Sequence, residues 1–344
     1  MTGRTLAALL LALLLSGTTA KARTLTDQTG HTLTLAGPVT RVGTPGISMA
    51  SLILALSEPQ KLVAITPEVR DNPWLQRIVP AVRQAGTPFT RPAGVNLEAL
   101  LALQPQLVTL WTGNPHLARR LAPLGIAVLN LEYHDPDSLK AAVRLLGDAM
   151  GPAEQKKATA FVQYYDSVLQ RVSQGLAGLP GQQRPRVYYA GATPLDTEGR
   201  HSMVDAWIRL AGGLNVAAEA GLQADARIQP EQLLLWDPDL IITLDRHQQQ
   251  AILADPRWQS LRAVREQRVL ANPGGINAWC TRAAESALQL LWAARLFHPE
   301  RFAGLDLAGE TRYFYQTFYH YLLDEAELAR VLHGEPPPGT SASR

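Results

Sequence analysis

At 344 residues the chain is long enough for two domains, each with its own core. A composition of 46% hydrophobic and 18% charged residues is that of an ordinary soluble globular protein, and a formal net charge of +2 with scattered arginines excludes a phosphate-tracking nucleic-acid surface. Cys280 is the only cysteine, so an internal disulfide is excluded and stability must come from core packing; beside Trp279, this thiol reads first as a small buried hydrophobe.

In chain order, Arg4 precedes an apolar run from Leu6 to Leu15, followed by Ala20-Lys21-Ala22. A short positive region, a ten-residue apolar core and an A-x-A site predict a secretory signal peptide over residues 1–22. The apolar run is too short to cross a bilayer core of about 30 Å. No cysteine follows that could carry a lipid anchor, so the mature chain is expected to be soluble in an extracytoplasmic compartment.

Thr24 to Leu35 alternates around a turn near Gly30 and predicts a hairpin. Val39 to Gly43 reads as a strand, Ser48 to Ala55 as a helix, Leu62 to Ile65 and Ile126 to Leu131 as further strands. From Asp137 the pattern turns helical, and residues 153–176 hold one long helix without Pro or Gly before Gly175, spanning roughly 36 Å. Strands at Arg186 to Ala190 and Arg268 to Ala271, with helices at Met203 to Ala211 and Ala283 to Phe297, build the second half.

Two stretches 133 positions apart repeat the same design. Glu98, Leu100, Leu101, Pro105 and Leu107 recur as Glu231, Leu233, Leu234, Pro238 and Leu240. Each copy is a short amphipathic helix, a proline break and a buried strand, which is half of a parallel α/β unit. The fold expected is therefore α/β: two doubly wound lobes joined by one long rigid helix, with a ligand cleft between them. The boundaries expected are a first lobe over 23–136, connecting helices over 137–180, a second lobe over 181–334 and a disordered tail over 335–344.

Ligands of open α/β sheets bind beyond the carboxyl ends of the strands. That rule selects the loops 44–48, 111–114, 132–135, 189–193, 245–247 and 274–282, which are rich in Trp, Tyr, His and Arg. Aromatic faces with a few cationic groups suit a bulky, planar or anionic small molecule. Nucleophile-elbow, phosphate-loop and metalloprotease motifs are all absent from the sequence. His134, His201 and His247 lie near strand ends and could converge on a metal, although each also suits a hydrogen-bonded surface position.

The order and spacing of the motifs carry a family resemblance. They run from Thr26-Asp-Gln-Thr-Gly30 through both repeat copies, Thr197-Glu-Gly-Arg-His201 and Ala211-Gly-Gly-Leu-Asn215 to Trp279, Arg282 and Glu285. The chain resembles the helical-backbone class of periplasmic substrate-binding proteins, which serve ATP-driven importers of iron-siderophores, haem, cobalamin and other metal chelates. The resemblance makes that compartment the periplasm and implies a non-catalytic, monomeric protein without a covalent cofactor that binds a metal chelate between its lobes. Trp111, Tyr133, Tyr189 and Trp279 are expected as aromatic walls, with His134 beside them. Arg282 is expected to grip carboxylate or phosphate-like oxygens, unless it pairs with Glu285 one helical turn on. His201 is the candidate metal ligand or orienting donor. The family docks on its inner-membrane ABC permease through an exposed glutamate on each lobe. Glu219 fits the second lobe, whereas between Glu68 and Glu98 only Asp71 is acidic, so the first-lobe carboxylate is expected to be missing or displaced. An extracytoplasmic enzyme using Ser48, Cys280, His201 or Glu132, and a ligand-sensing subunit, are the alternative readings on the same scaffold.

Overall fold

The computed structural model describes residues 22–90, 94–111 and 115–340; the expected signal peptide lies outside them, apart from Ala22. An antiparallel hairpin, Arg23–Thr26 with Thr32–Leu35, opens the chain, and Gly30 takes the positive φ its turn demands. Four parallel strands follow: β1 (Val42–Gly43), β2 (Leu62–Ala64), β3 (Leu107–Trp111) and β4 (Ala127–Leu131), in the order β2-β1-β3-β4. A second parallel sheet contains β5 (Arg186–Ala190), β6 (Leu214–Asn215), β7 (Leu240–Thr243) and β8 (Val269–Ala271), in the order β6-β5-β7-β8. Numbered within its own half, each sheet has the same order, 2-1-3-4. The sequence repeat supplies the third strand of each, β3 and β7, which lies in the middle of its sheet.

Both faces of both sheets are covered. Along the first sheet, Leu107, Leu129 and Leu131 enter the main core, while Val108, Leu110 and Val128 enter a separate outer cluster. In the second, Val187, Tyr189, Leu240 and Ile242 enter the main core, and Tyr188, Ala190 and Ile241 a further outer cluster. Strands buried on both faces favour apolar side chains at nearly every position, hence the runs Leu107–Leu110, broken only by the buried Thr109, and Leu240–Ile242.

Between the sheets, helix α1 (Ile47–Leu56) belongs to the first half, and α2 (Pro136–Met150) and α3 (Pro152–Gly175) follow β4. Asp135 and Ser138 form a reciprocal capping box that starts α2. Gly151 breaks α2 from α3 at φ 142, packed against Pro38, and Pro152 restarts the helix at its first turn. The 24 residues of α3 bury Ala158, Phe161, Tyr165, Val168 and Val172, spaced three or four apart so that they form one stripe. After α4 (Met203–Leu210) in the second half come α5 (Ser286–Phe297) and α6 (Leu307–Tyr319), which the stripe meets, with Phe161 packed on Phe314 and Phe318. The main core thus runs without a break from the first sheet through this helical layer to the second.

The last helix, α7 (Glu325–Leu332), returns to the first half, where Glu327 pairs with Arg77. Residues 335–340, the described part of the segment expected to be disordered, have defined partners instead. Glu335 accepts a hydrogen bond from Trp74 Nε1 through its carbonyl at 2.8 Å, its carboxylate pairs with Arg246 at 2.9 Å, and Pro337 is buried. Apolar cover and these partners hold a segment whose Pro/Ser/Gly content alone reads as unstructured.

Candidate ligand-binding site

The strand order reverses between β1 and β3 in the first sheet and between β5 and β7 in the second, which is where ligands enter doubly wound sheets. Trp111 is the last residue of β3 and stands at the first of these points. Its half-buried ring meets Tyr133 edge-on at 4.9 Å and His134 edge-on at 5.5 Å. The guanidinium carbon of Arg282 lies 5.2 Å from the centre of the same ring. Tyr133 donates its hydroxyl to the Arg282 carbonyl at 3.0 Å, so residues of the first half grip a loop of the second. Three further bonds fasten that loop: Asn72 Nδ2 to the Ile276 carbonyl at 3.2 Å, Asn277 Nδ2 to Ser48 Oγ at 3.0 Å, and the Ala284 amide to Ser51 Oγ at 3.2 Å.

Arg282 does not pair with Glu285, which is wholly buried. Its Nη2 lies 3.5 Å from Glu198 Oε2, a residue the sequence reading quoted within a motif without giving it a role. Burial pushes the Glu198 carboxyl above the ordinary carboxylate range, against the pull of Arg282. Glu198 Oε2, Arg282 Nε and His134 Nδ1 are all buried with no hydrogen-bond partner among the described residues. These three atoms therefore have bonding capacity available to a ligand at the lobe boundary.

Beside this cluster a cavity of about 590 Å³ opens between the halves. His134 and Ser138 line it from one side, and Arg200, His201, Asp205 and Glu219 from the other. His201 holds a left-handed backbone at φ 60 and is exposed. His247 is exposed on helix Arg246–Ala254 and does not line this cavity. Among the described residues, no group of three or more His, Cys, Asp or Glu side chains could hold a metal ion. A groove of about 690 Å³ beside edge strand β4 is lined mainly by small and apolar side chains, with His31 and Arg119, and lacks comparable polar convergence.

Three of the residues expected as walls are core residues here. Tyr133 and Trp279 have no exposed surface and Tyr189 almost none. Trp279 packs with Tyr315, and the Tyr189 hydroxyl meets Cys280 Sγ at 3.7 Å. Burial pushes the Cys280 thiol up to about 12, which keeps it protonated and unreactive at neutral pH. Three of the four residues suggested for catalysis are separately engaged: Ser48 with Asn277, Cys280 with Tyr189, and Glu132 with His134 at 3.3 Å, while the fourth, His201, lines the cavity. The structure therefore brings together Trp111, His134, Arg282 and Glu198, with His201 and Glu219 across the adjoining cavity.

Residues 48–274, most of the chain, match the periplasmic binding protein family. The chain belongs to this family. Within it, the molybdate-binding protein MolA of Haemophilus influenzae is 25% identical over 343 aligned positions, covering 91% of this chain and 96% of MolA. The structure of a periplasmic solute binding protein from Veillonella parvula superposes with a TM-score of 0.78 at 26% identity, covering 91% of this chain and 97% of that one. MolA bound to molybdate superposes with a TM-score of 0.79 at 22% identity, over 88% and 99% of the two chains. Like these periplasmic binding proteins, the chain folds as two α/β lobes.

Proposed function

We propose that this periplasmic binding protein captures a small metal-containing anion, an oxyanion or a compact oxygen-rich chelate, between its lobes and delivers it to an ABC permease. One observation carries the reading: the Arg282 guanidinium lies over Trp111 at the lobe boundary with bonding capacity unfilled. A planar fork fixed on an aromatic face suits bidentate contact with paired oxygens. His134 and His201 supply further polar contacts, and the metal brings its own donors. Molybdate, the ligand bound by MolA, is of this class. The protein acts without catalysis, as a monomer, after export through its leader.

Topological equivalence supports a revised docking pair. Glu219 ends the short helix Val216–Glu219 that follows β6, the second strand of its lobe. Glu68 sits on the short helix Pro67–Arg70 that follows β2, the second strand of the other lobe. Both glutamates are exposed, so Glu68 is the first-lobe counterpart that the spacing of acidic residues left unassigned.

Thermal denaturation with molybdate, tungstate, ferric citrate, haem and cyanocobalamin tests the ligand class. A hundredfold excess over Kd stabilises by about 2.7 kcal/mol. Stabilisation by one of the first three, lost in Arg282→Gln, is the expected result. Stabilisation by haem or cobalamin alone refutes the compact-anion reading.

A further inference from the structure

Glu198 is held in place far more firmly than a solvent-facing carboxylate requires. Its carbonyl accepts from Asn215 Nδ2 at 2.9 Å, and the next two amides bond to the Gln223 and Leu222 carbonyls at 2.9 and 2.8 Å. Ser202 Oγ closes the turn onto the Gly199 carbonyl at 2.7 Å. A Cβ at Gly199 would stand 2.1 Å from the Leu222 carbonyl oxygen, so only glycine admits this path. The backbone is thus clamped, and the mostly buried Glu198 side chain is aimed from it toward Arg282. Its contact with Arg282 is loose. At 3.5 Å the two charges attract, yet Oε2 makes no hydrogen bond, and neither does Arg282 Nε. A tight bidentate pair would have filled both.

We propose that Glu198 is a resident counter-ion for Arg282: its carboxylate stands where an arriving anion must bind, has to be displaced for the anion to take the guanidinium, and thereby sets affinity and ligand charge. The inference rests on the anion-binding reading of Arg282 given above. Glu198 neutralises an otherwise unpaired, three-quarters buried arginine, because leaving such a charge alone is costly. The titratable and charged groups facing Glu198 include Arg282, Asp225, His134, Tyr189 and Cys280. An incoming anion takes over the role of counter-ion, and Glu198 repels it in proportion to the charge it carries.

Molybdate, a dianion, and perrhenate, a monoanion of similar size and shape, separate charge from fit. Isothermal titration of the full chain with each salt compares the wild type, Glu198→Gln and Arg282→Gln, with Glu198→Ala as a second replacement. Removing the carboxylate is expected to tighten molybdate roughly tenfold or more, and perrhenate by about half as much on a logarithmic scale. Equal gains for the two anions assign the effect to space rather than charge and overturn the proposal. Unchanged or weaker binding in both Glu198 variants, or binding by no protein at all, overturns it equally. If Arg282→Gln loses molybdate while the Glu198 variants match wild type, only the counter-ion idea fails. If Arg282→Gln binds as wild type does, the anion-site reading itself falls.

Discussion

Glu285 offers a direct test of how the buried lobe boundary responds to pH. It precedes α5, is wholly buried, and is acted on by Tyr319 and the backbone of Ile276 and Asn277. Burial pushes its carboxyl up to about 7 from the usual 4.5. The folded protein therefore keeps a proton that the unfolded chain releases at lower pH, so this group's stability is full below about pH 4.5 and is lost as pH rises to about 7. The interval corresponds to about 3 kcal/mol, a large part of the net stability of a typical domain. Glu285→Gln keeps the shape and removes the ionisation. Urea denaturation followed by tryptophan fluorescence between about pH 5 and pH 8 should show wild-type stability falling relative to the variant, with the variant the more stable at the alkaline end. Parallel curves for the two proteins would refute the reasoning, since every other titrating group is common to both.

Phe161→Ala, at the centre of the Phe161, Phe314 and Phe318 cluster, should cost about 3 to 5 kcal/mol in the same assay; a loss under about 1 kcal/mol would show that α3 does not tie the lobes. Gly199→Ala places a methyl group against the Leu222 carbonyl and should shift Glu198 away from Arg282, tightening anion binding with little change in far-ultraviolet circular dichroism, so wild-type affinity would count against the clamp. Replacing Glu68 by Ala should leave solution affinity within about threefold while reducing import by roughly tenfold or more, and normal uptake by this variant would remove Glu68 from the docking surface.

Local signals were the legible part of the sequence. Strand Arg186–Ala190 matches its expected limits, and the long helix expected over 153–176 spans Pro152–Gly175, because proline and glycine breakers bracket both. The repeat identified the paired central strands, β3 and β7, before any sheet order was known. Tyr133 illustrates a signal present but unused: Leu131 and Tyr133 point inward while Glu132 and His134 point outward, so strand alternation continues past β4. Tyr189 and Trp279 carried no such cue, since an aromatic residue near a strand end reads alike whether it faces a cleft or the core. The Glu198–Arg282 pair lies 84 residues apart in the chain, and no local pattern couples residues at that distance. The equivalence of the positions of Glu68 and Glu219 is visible only from the strand order that the two sheets share.

The return of the chain's end to its beginning has a consequence for how the protein is made. Glu327 reaches Arg77 across 250 residues, and Glu335 reaches Trp74 across 261. Until α7 and the segment after it exist, the helix bearing Trp74 and Arg77 lacks its cover, and the first lobe cannot finish as an independent unit. Contacts of such sequence separation are slow to form and form last. A nascent chain of this design stays incomplete through synthesis of its first three hundred or so residues, leaving a long interval in which it can be held open before it closes.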